Sequence, residues 1–111
     1  MENALSLKEV AELTYEKVKN SCEFIDWCKY LLENKEHIWI ICDGKKLHGM
    51  LMAKTTAQYN LYVMELVTLW PGCFAEFTSR VSERFGEIRT VEFLRRGRLR
   101  RYNFERFKQK I

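Results

Sequence analysis

Residues 60–94 read NLYVMELVTLWPGCFAEFTSRVSERFGEIRTVEFL, and their pattern decides the fold. NLYVMELVTL (60–69) has the composition of a long strand, apolar on both faces by its middle. Strands of that kind lie at a sheet centre, covered from two sides. Trp70-Pro71-Gly72 then punctuates the chain. From Cys73 to Phe85 the apolar residues Phe74, Phe77, Val81 and Phe85 recur three or four apart, the spacing of an amphipathic helix. Gly86 is a suitable stop for it. IRTVEFL (88–94) returns to strand composition. A strand, a helix and a strand joined this tightly predict a parallel crossover.

Upstream, HIWIIC (37–42) is β-rich, Asp43-Gly44 is a hairpin-turn signal, and LHGMLMAKTT follows, which predicts two antiparallel strands. Further upstream the pattern is helical. Ser6-Leu7-Lys8-Glu9 has the form of a capping box, in which the serine and glutamate side chains each satisfy the other's backbone N–H. Leu7, Val10, Leu13, Tyr15 and Val18 supply an apolar stripe. Asn20-Ser21 interrupts it, and a second helix is expected from about Cys22 to Leu32.

Downstream, the crossover runs into VEFLRRGRLRRYNFERFK (91–108), with Arg95, Arg96, Arg98, Arg100 and Arg101 inside seven positions. Residues 98–111 fit helix and strand equally. From Leu94 onward eight basic residues are opposed by Glu105 alone, a net +7, whereas the preceding 93 residues carry 11 basic and 14 acidic side chains, a net −3. A mildly acidic body with a basic C-terminal segment (95–111) implies an anionic partner for that segment: nucleic acid, a phosphate group or an acidic protein.

With 111 residues, 47% of them apolar and 14% aromatic, the chain is expected to fold as one domain over 1–111. No apolar run approaches the length of a transmembrane helix. MENALSLKEV has neither the basic nor the apolar region of a secretory signal, so a cytoplasmic location is expected. Cys22, Cys28, Cys42 and Cys73 form no CxxC pair, and His37 and His48 are not spaced as zinc ligands; buried thiols and no metal are the expectation. The predicted class is therefore α/β (α+β): two helices, then a mixed sheet of antiparallel hairpin strands with one parallel crossover.

This order of elements resembles GNAT-type N-acetyltransferases, and among them the small, divergent members encoded by bacteriophages. The resemblance covers about 37–102. It rests on the hairpin HIWIICDGKKLHGMLMAKT, the strand NLYVMELVTL, the crossover WPGCFAEFTSRVSERFG and the element VEFLRRGRLRRY. It implies a core trimmed at both ends and the use of acetyl-CoA. The pantetheine arm of the cofactor would pair with the backbone of Leu66, Val67 and Thr68. Its pyrophosphate would rest at Gly72, Cys73, Phe74 and Ala75, where a helix N-terminus favours anions. Glu65 would be the base that deprotonates the acceptor amine, and Tyr102 the acid that meets the departing thiolate. One or two of the five arginines would pair the cofactor's adenosine phosphate.

Three functions stay open on these residues. The first is a phage-type acyl-CoA-dependent N-acyltransferase. The second is a GNAT-like module without catalysis, a virion component or an inhibitor of host defence that acts by binding a protein or a second copy of itself. It is favoured by the stretch Leu69–Phe74, which holds one glycine and no leading Arg or Gln where a backbone wrapping a pyrophosphate prefers glycines. The third is nucleic-acid binding, with arginines on phosphates and Tyr102 and Phe104 stacking on bases. Each singled-out residue also has a plainer role. Glu65 would pair with a lysine or arginine, Tyr102 would pack its ring, Gly72 would only turn the chain, and His48 would sit at the edge of the core. Met50, Met52 and Met64 would fill the core, and Trp39 and Trp70 would anchor a core or an interface.

Overall fold

The computed structural model describes residues 5–95 and 97–108. Helices α1 (Leu7–Val18) and α2 (Phe24–Glu33) lead through a short 3₁₀ turn to strands β1 (Ile38–Asp43), β2 (Lys46–Ala57) and β3 (Asn60–Thr68). Helix α3 (Cys73–Phe85) crosses to β4 (Thr90–Arg95), followed by β5 (Arg98–Asn103) and a short helix α4 (Phe104–Lys108). The sheet has the order β1-β2-β3-β4-β5. All neighbours are antiparallel except β3 and β4, which pair in parallel through the α3 crossover. The fold is thus a compact α+β arrangement on a five-stranded mixed sheet.

The capping box forms as its sequence requires. The Glu9 backbone N–H donates to Ser6 Oγ and the Ser6 N–H to Glu9 Oε1, both at 3.1 Å. The buried side of α1 differs from the expected stripe. Val10, Ala11 and Thr14 are buried, while Leu13 is 43% exposed. The reason is a polar crosslink. Thr14 Oγ1 donates to the Val10 carbonyl at 2.7 Å and accepts from Trp27 Nε1 at 2.9 Å, so α1 turns its threonine towards α2. A buried indole N–H needs such a partner.

Residues alternate between two cores along each strand, as the pleat dictates. Met50, Met52 and Val67 pack with α1 and α2; Leu51, Ala53, Leu61 and Val91 pack with α3 and Phe104. The helices therefore lie on opposite faces of the sheet. Met50 and Met52 fill the core as their positions suggested, and Trp39 meets Phe77 edge-on with ring centroids 5.0 Å apart. The close packing of α3 on β2 needs a glycine. A Cβ on Gly49 would lie 2.2 Å from Cys73 Sγ and 2.9 Å from the Val67 carbonyl oxygen. The ambiguous C-terminal stretch is both strand and helix. Gly97, with φ of 75°, turns the chain so that Arg98–Asn103 pairs along β4, and α4 follows directly. No helix among the described residues is long and apolar enough to cross a membrane.

Candidate active site

The feature that creates a site is an interruption between β3 and β4. The two strands pair only from Asn60↔Thr90 to Val63↔Phe93. On the other side of β3 the ladder to β2 continues to Thr68, but its register shifts: Met52 pairs with Glu65 and Ala53 with Val63, which leaves Met64 as an extra residue. Such a bulge bends a strand and increases its twist. The bend falls where pairing with β4 ends. Beyond it, Glu65–Thr68 stays paired to β2 with no partner on β4 among the described residues, and the sheet opens there as a fork.

The closed end of the fork is held by a buried polar network. Asn60 Nδ2 donates to Glu92 Oε1 and, at 2.9 Å, to Thr56 Oγ1; Thr90 Oγ1 donates to Asn60 Oδ1 at 2.6 Å. Arg101 Nη2 donates to Glu92 Oε2 at 2.9 Å, so a carboxylate only 6% exposed is met from both sides. Main-chain bonds from the Arg89 and Thr90 N–H groups to the Tyr59 carbonyl, and from Phe104 N–H to the Arg89 carbonyl, tie the surrounding turns to this end.

Glu65 stands just past the bulge. Its cross-strand partner Met52 belongs to the core under α1 and α2, which puts the Glu65 side chain on that face. It borders a cavity there with Asp26, Trp27, Tyr30 and Cys22. It also borders a second cavity on the α3 face, lined by Val63, Leu66, Phe77, Val81, Phe93 and Phe107 among others. One residue walls cavities on both faces because the sheet is open beside it. Burial raises the Glu65 carboxyl above its ordinary value; burial is also the main cause that raises Tyr30 and Cys22, with the charges of Glu65 and, at Cys22, Asp26 adding to it.

Tyr102 lies on the other face. It pairs with Val91, which packs under α3, and its ring stacks on Phe93 at 5.3 Å and 16° and leans on Phe107 at 5.8 Å. The ring faces expected to meet nucleobases are thus applied to protein rings. Phe104 is buried in the same core. Glu65 and Tyr102 accordingly lie on opposite faces of the sheet, Tyr102 at the level of Val91 in the closed, paired end of the fork.

At the open end, Leu66, Val67 and Thr68 have ladder partners on β2 and none on β4 among the described residues. Gly72 takes φ of 87°, a conformation glycine adopts without strain, and precedes α3 as its N-cap. Of the main-chain donors there, Cys73 N–H is engaged by the Trp70 carbonyl at 3.2 Å, whereas those of Phe74 and Ala75 donate to no described acceptor. The Cys73 thiol is buried, and burial pushes it up to about 11. That is the opposite of the lowering a helix N-terminus would bring, so this sulfur is a packing group rather than a nucleophile. Trp70 is 46% exposed, stacked on His48 at 5.2 Å with Lys46 Nζ 3.7 Å above its ring.

The arginines divide by the strand alternation. Arg101 is bound to Glu92. Arg100 pairs with Phe93 and so shares the α3 face with Tyr102, and Arg98, opposite Arg95, lies at the rim of the open end. Both are exposed. Arg96 and the side chain of Arg95 lie outside the described residues. Sequence reasoning missed the Met64 bulge, the Asn60–Glu92 network and the wall formed by Phe104 and Phe107. Only the last left a signal, two phenylalanines at helical spacing. Set against protein-family models, curated proteins and solved structures, the chain matches none of them.

Proposed function

We propose that the protein is a GNAT-like, acyl-CoA-dependent N-acyltransferase. The observation that carries this reading is the fork itself: a sheet opened between two parallel strands, with one carboxylate, Glu65, bordering cavities on both faces. The residues present fit such a cofactor in two respects. The edge of Leu66–Thr68 that lacks a β4 partner would receive the amide groups of a pantetheine arm. The Phe74 and Ala75 N–H groups, at the positive end of α3, would receive phosphate oxygens, with Arg98 and Arg100 on the same side. The thioester would supply the acyl group.

The amine would then approach from the α1–α2 face and the thioester from the α3 face. Glu65, raised by burial towards the working range of a base, takes a proton from the amine. Tyr102, on the α3 face opposite Val91, is the acid that the resemblance assigns to the departing thiolate. Titration calorimetry with acetyl-CoA followed by acylation assays on a panel of amines tests the reading. Glu65→Gln should lower turnover about 100-fold or more with binding retained, as loss of a general base does. Absence of heat with any acyl-CoA would remove the proposal.

A second reading rests on a different observation. Leu94 and Leu99 are a cross-strand pair, 59% and 58% exposed. A protein partner, including a second copy, would cover them, and the molecule would act by binding alone. Sedimentation that shows a monomer, unchanged by Leu99→Ser, would count against it.

A further inference from the structure

The cavity on the α3 face has a shape that the transfer of an acetyl group does not require. It is a half-open cleft of about 290 Å3. It reaches from the arms of the fork, at Leu66 and Leu94, to the closed end, where Leu61 and Val91 are paired. Helix α3 roofs it with Phe77 and Val81. Only Glu65 and Thr78 in its lining are polar, and Thr78 Oγ1 is spent on the Ala75 carbonyl at 2.9 Å. An apolar cavity offers water few hydrogen bonds and takes apolar guests instead. At about 30 Å3 per water-sized group the space holds on the order of ten such groups, far more than a two-carbon acyl unit fills.

Resting on the acyl-CoA reading above, we propose that this cavity is an acyl-chain pocket that selects medium-chain thioesters, of about six to ten carbons, over acetyl. The chain would enter between Leu66 and Leu94 with its carbonyl carbon left at the fork beside Glu65, and its methyl end would stop against Leu61 and Val91. The transfer is unchanged by chain length: the amine nitrogen bonds to the carbonyl carbon, the C–S bond breaks, and the thiolate takes a proton.

Calorimetry of the intact protein with octanoyl-CoA, acetyl-CoA and CoA tests this. Octanoyl-CoA should bind at least about tenfold more tightly than acetyl-CoA, since each buried methylene adds to affinity. Val81→Phe should erase most of that difference; if that variant fails to fold, Val63→Phe serves in its place. Equal affinity for the two thioesters in the wild-type protein overturns the pocket. If no CoA species binds, the acyltransferase reading falls, and sodium octanoate alone then judges the cavity. Methyl NMR shifts confined to Leu61, Val63, Val81 and Val91 uphold a chain pocket, and their absence overturns it.

Discussion

One strand behaves as two. Asn60–Val63 is paired on both sides, to β2 and to β4, and its first residue anchors a buried polar network. Beyond the unpaired Met64, Glu65–Thr68 is paired to β2 alone, and this half borders cavities. The halves differ little in apolar content. What separates them is one extra residue at the bulge and one asparagine that can donate to a carboxylate and accept from a hydroxyl at once. A sheet can thus carry its strongest and its weakest strand pairing within a few residues.

The contrast is most easily broken from the closed half. Asn60→Ala strips Glu92 of one of its two partners and leaves Thr90 without its acceptor. Loss of a partner for a buried charge is costly, and we expect about 2–4 kcal/mol of destabilisation in urea unfolding. The open half depends on α3 being seated close to β2. Gly49→Ala should cost about 1–3 kcal/mol by overpacking against Cys73 and the Val67 carbonyl. Adding Cys73→Ala should recover only part, because the carbonyl remains.

Hydrogen exchange reads the difference without any substitution. Amides of Asn60–Val63 should be protected throughout. Those of Met64–Thr68 that point away from β2 should exchange at least about tenfold faster, as exposed backbone groups do. Uniform protection along β3 would mean that the fork is closed in solution. The smallest effect concerns Glu65. Its raised carboxyl favours the neutral form in the folded state, so that stability is fully present below the ordinary value of 4.5 and is lost as pH rises through the folded value. Glu65→Gln removes this slope. Its melting temperature relative to wild type should climb between pH 4.5 and pH 7.5, by on the order of 1–3 °C for a chain of this size.

Much of this architecture was legible in the sequence, because periodicity and turn chemistry are local. The capping box at Ser6–Glu9, the hairpin at Asp43-Gly44 and the crossover from β3 through α3 to β4 stand where their residues put them. Leu13 illustrates the limit. Hydrophobicity alone assigned it inwards, yet the Thr14–Trp27 hydrogen bond fixed the rotation of α1. The basic segment illustrates another. Arg98–Asn103 lacks the apolar alternation of a strand because β5 lies at the sheet edge and pairs on one side only. Of the candidate site, Glu65 and the Leu66–Thr68 edge were singled out through the resemblance, not by any pattern in their own residues. The bulge beside them could not be picked out, since Met64 is as ordinary in a regular strand as in a bulged one. Asn60 and Glu92 were hidden for a related reason: each is common at a surface, and only the fold brings them together.

The missing side chain at Gly49 has a consequence for how the fork would be used. Cys73 sits against β2 through that gap, so the start of α3 is fixed to the same strand pair that carries the open arm. Of the two jaws, the one on β3 is therefore fixed by packing. A ligand entering between them would find no strand pairing to undo, and ordering the chain would add little to the entropy of association. Discrimination between guests would then rest mainly on how long each one stays.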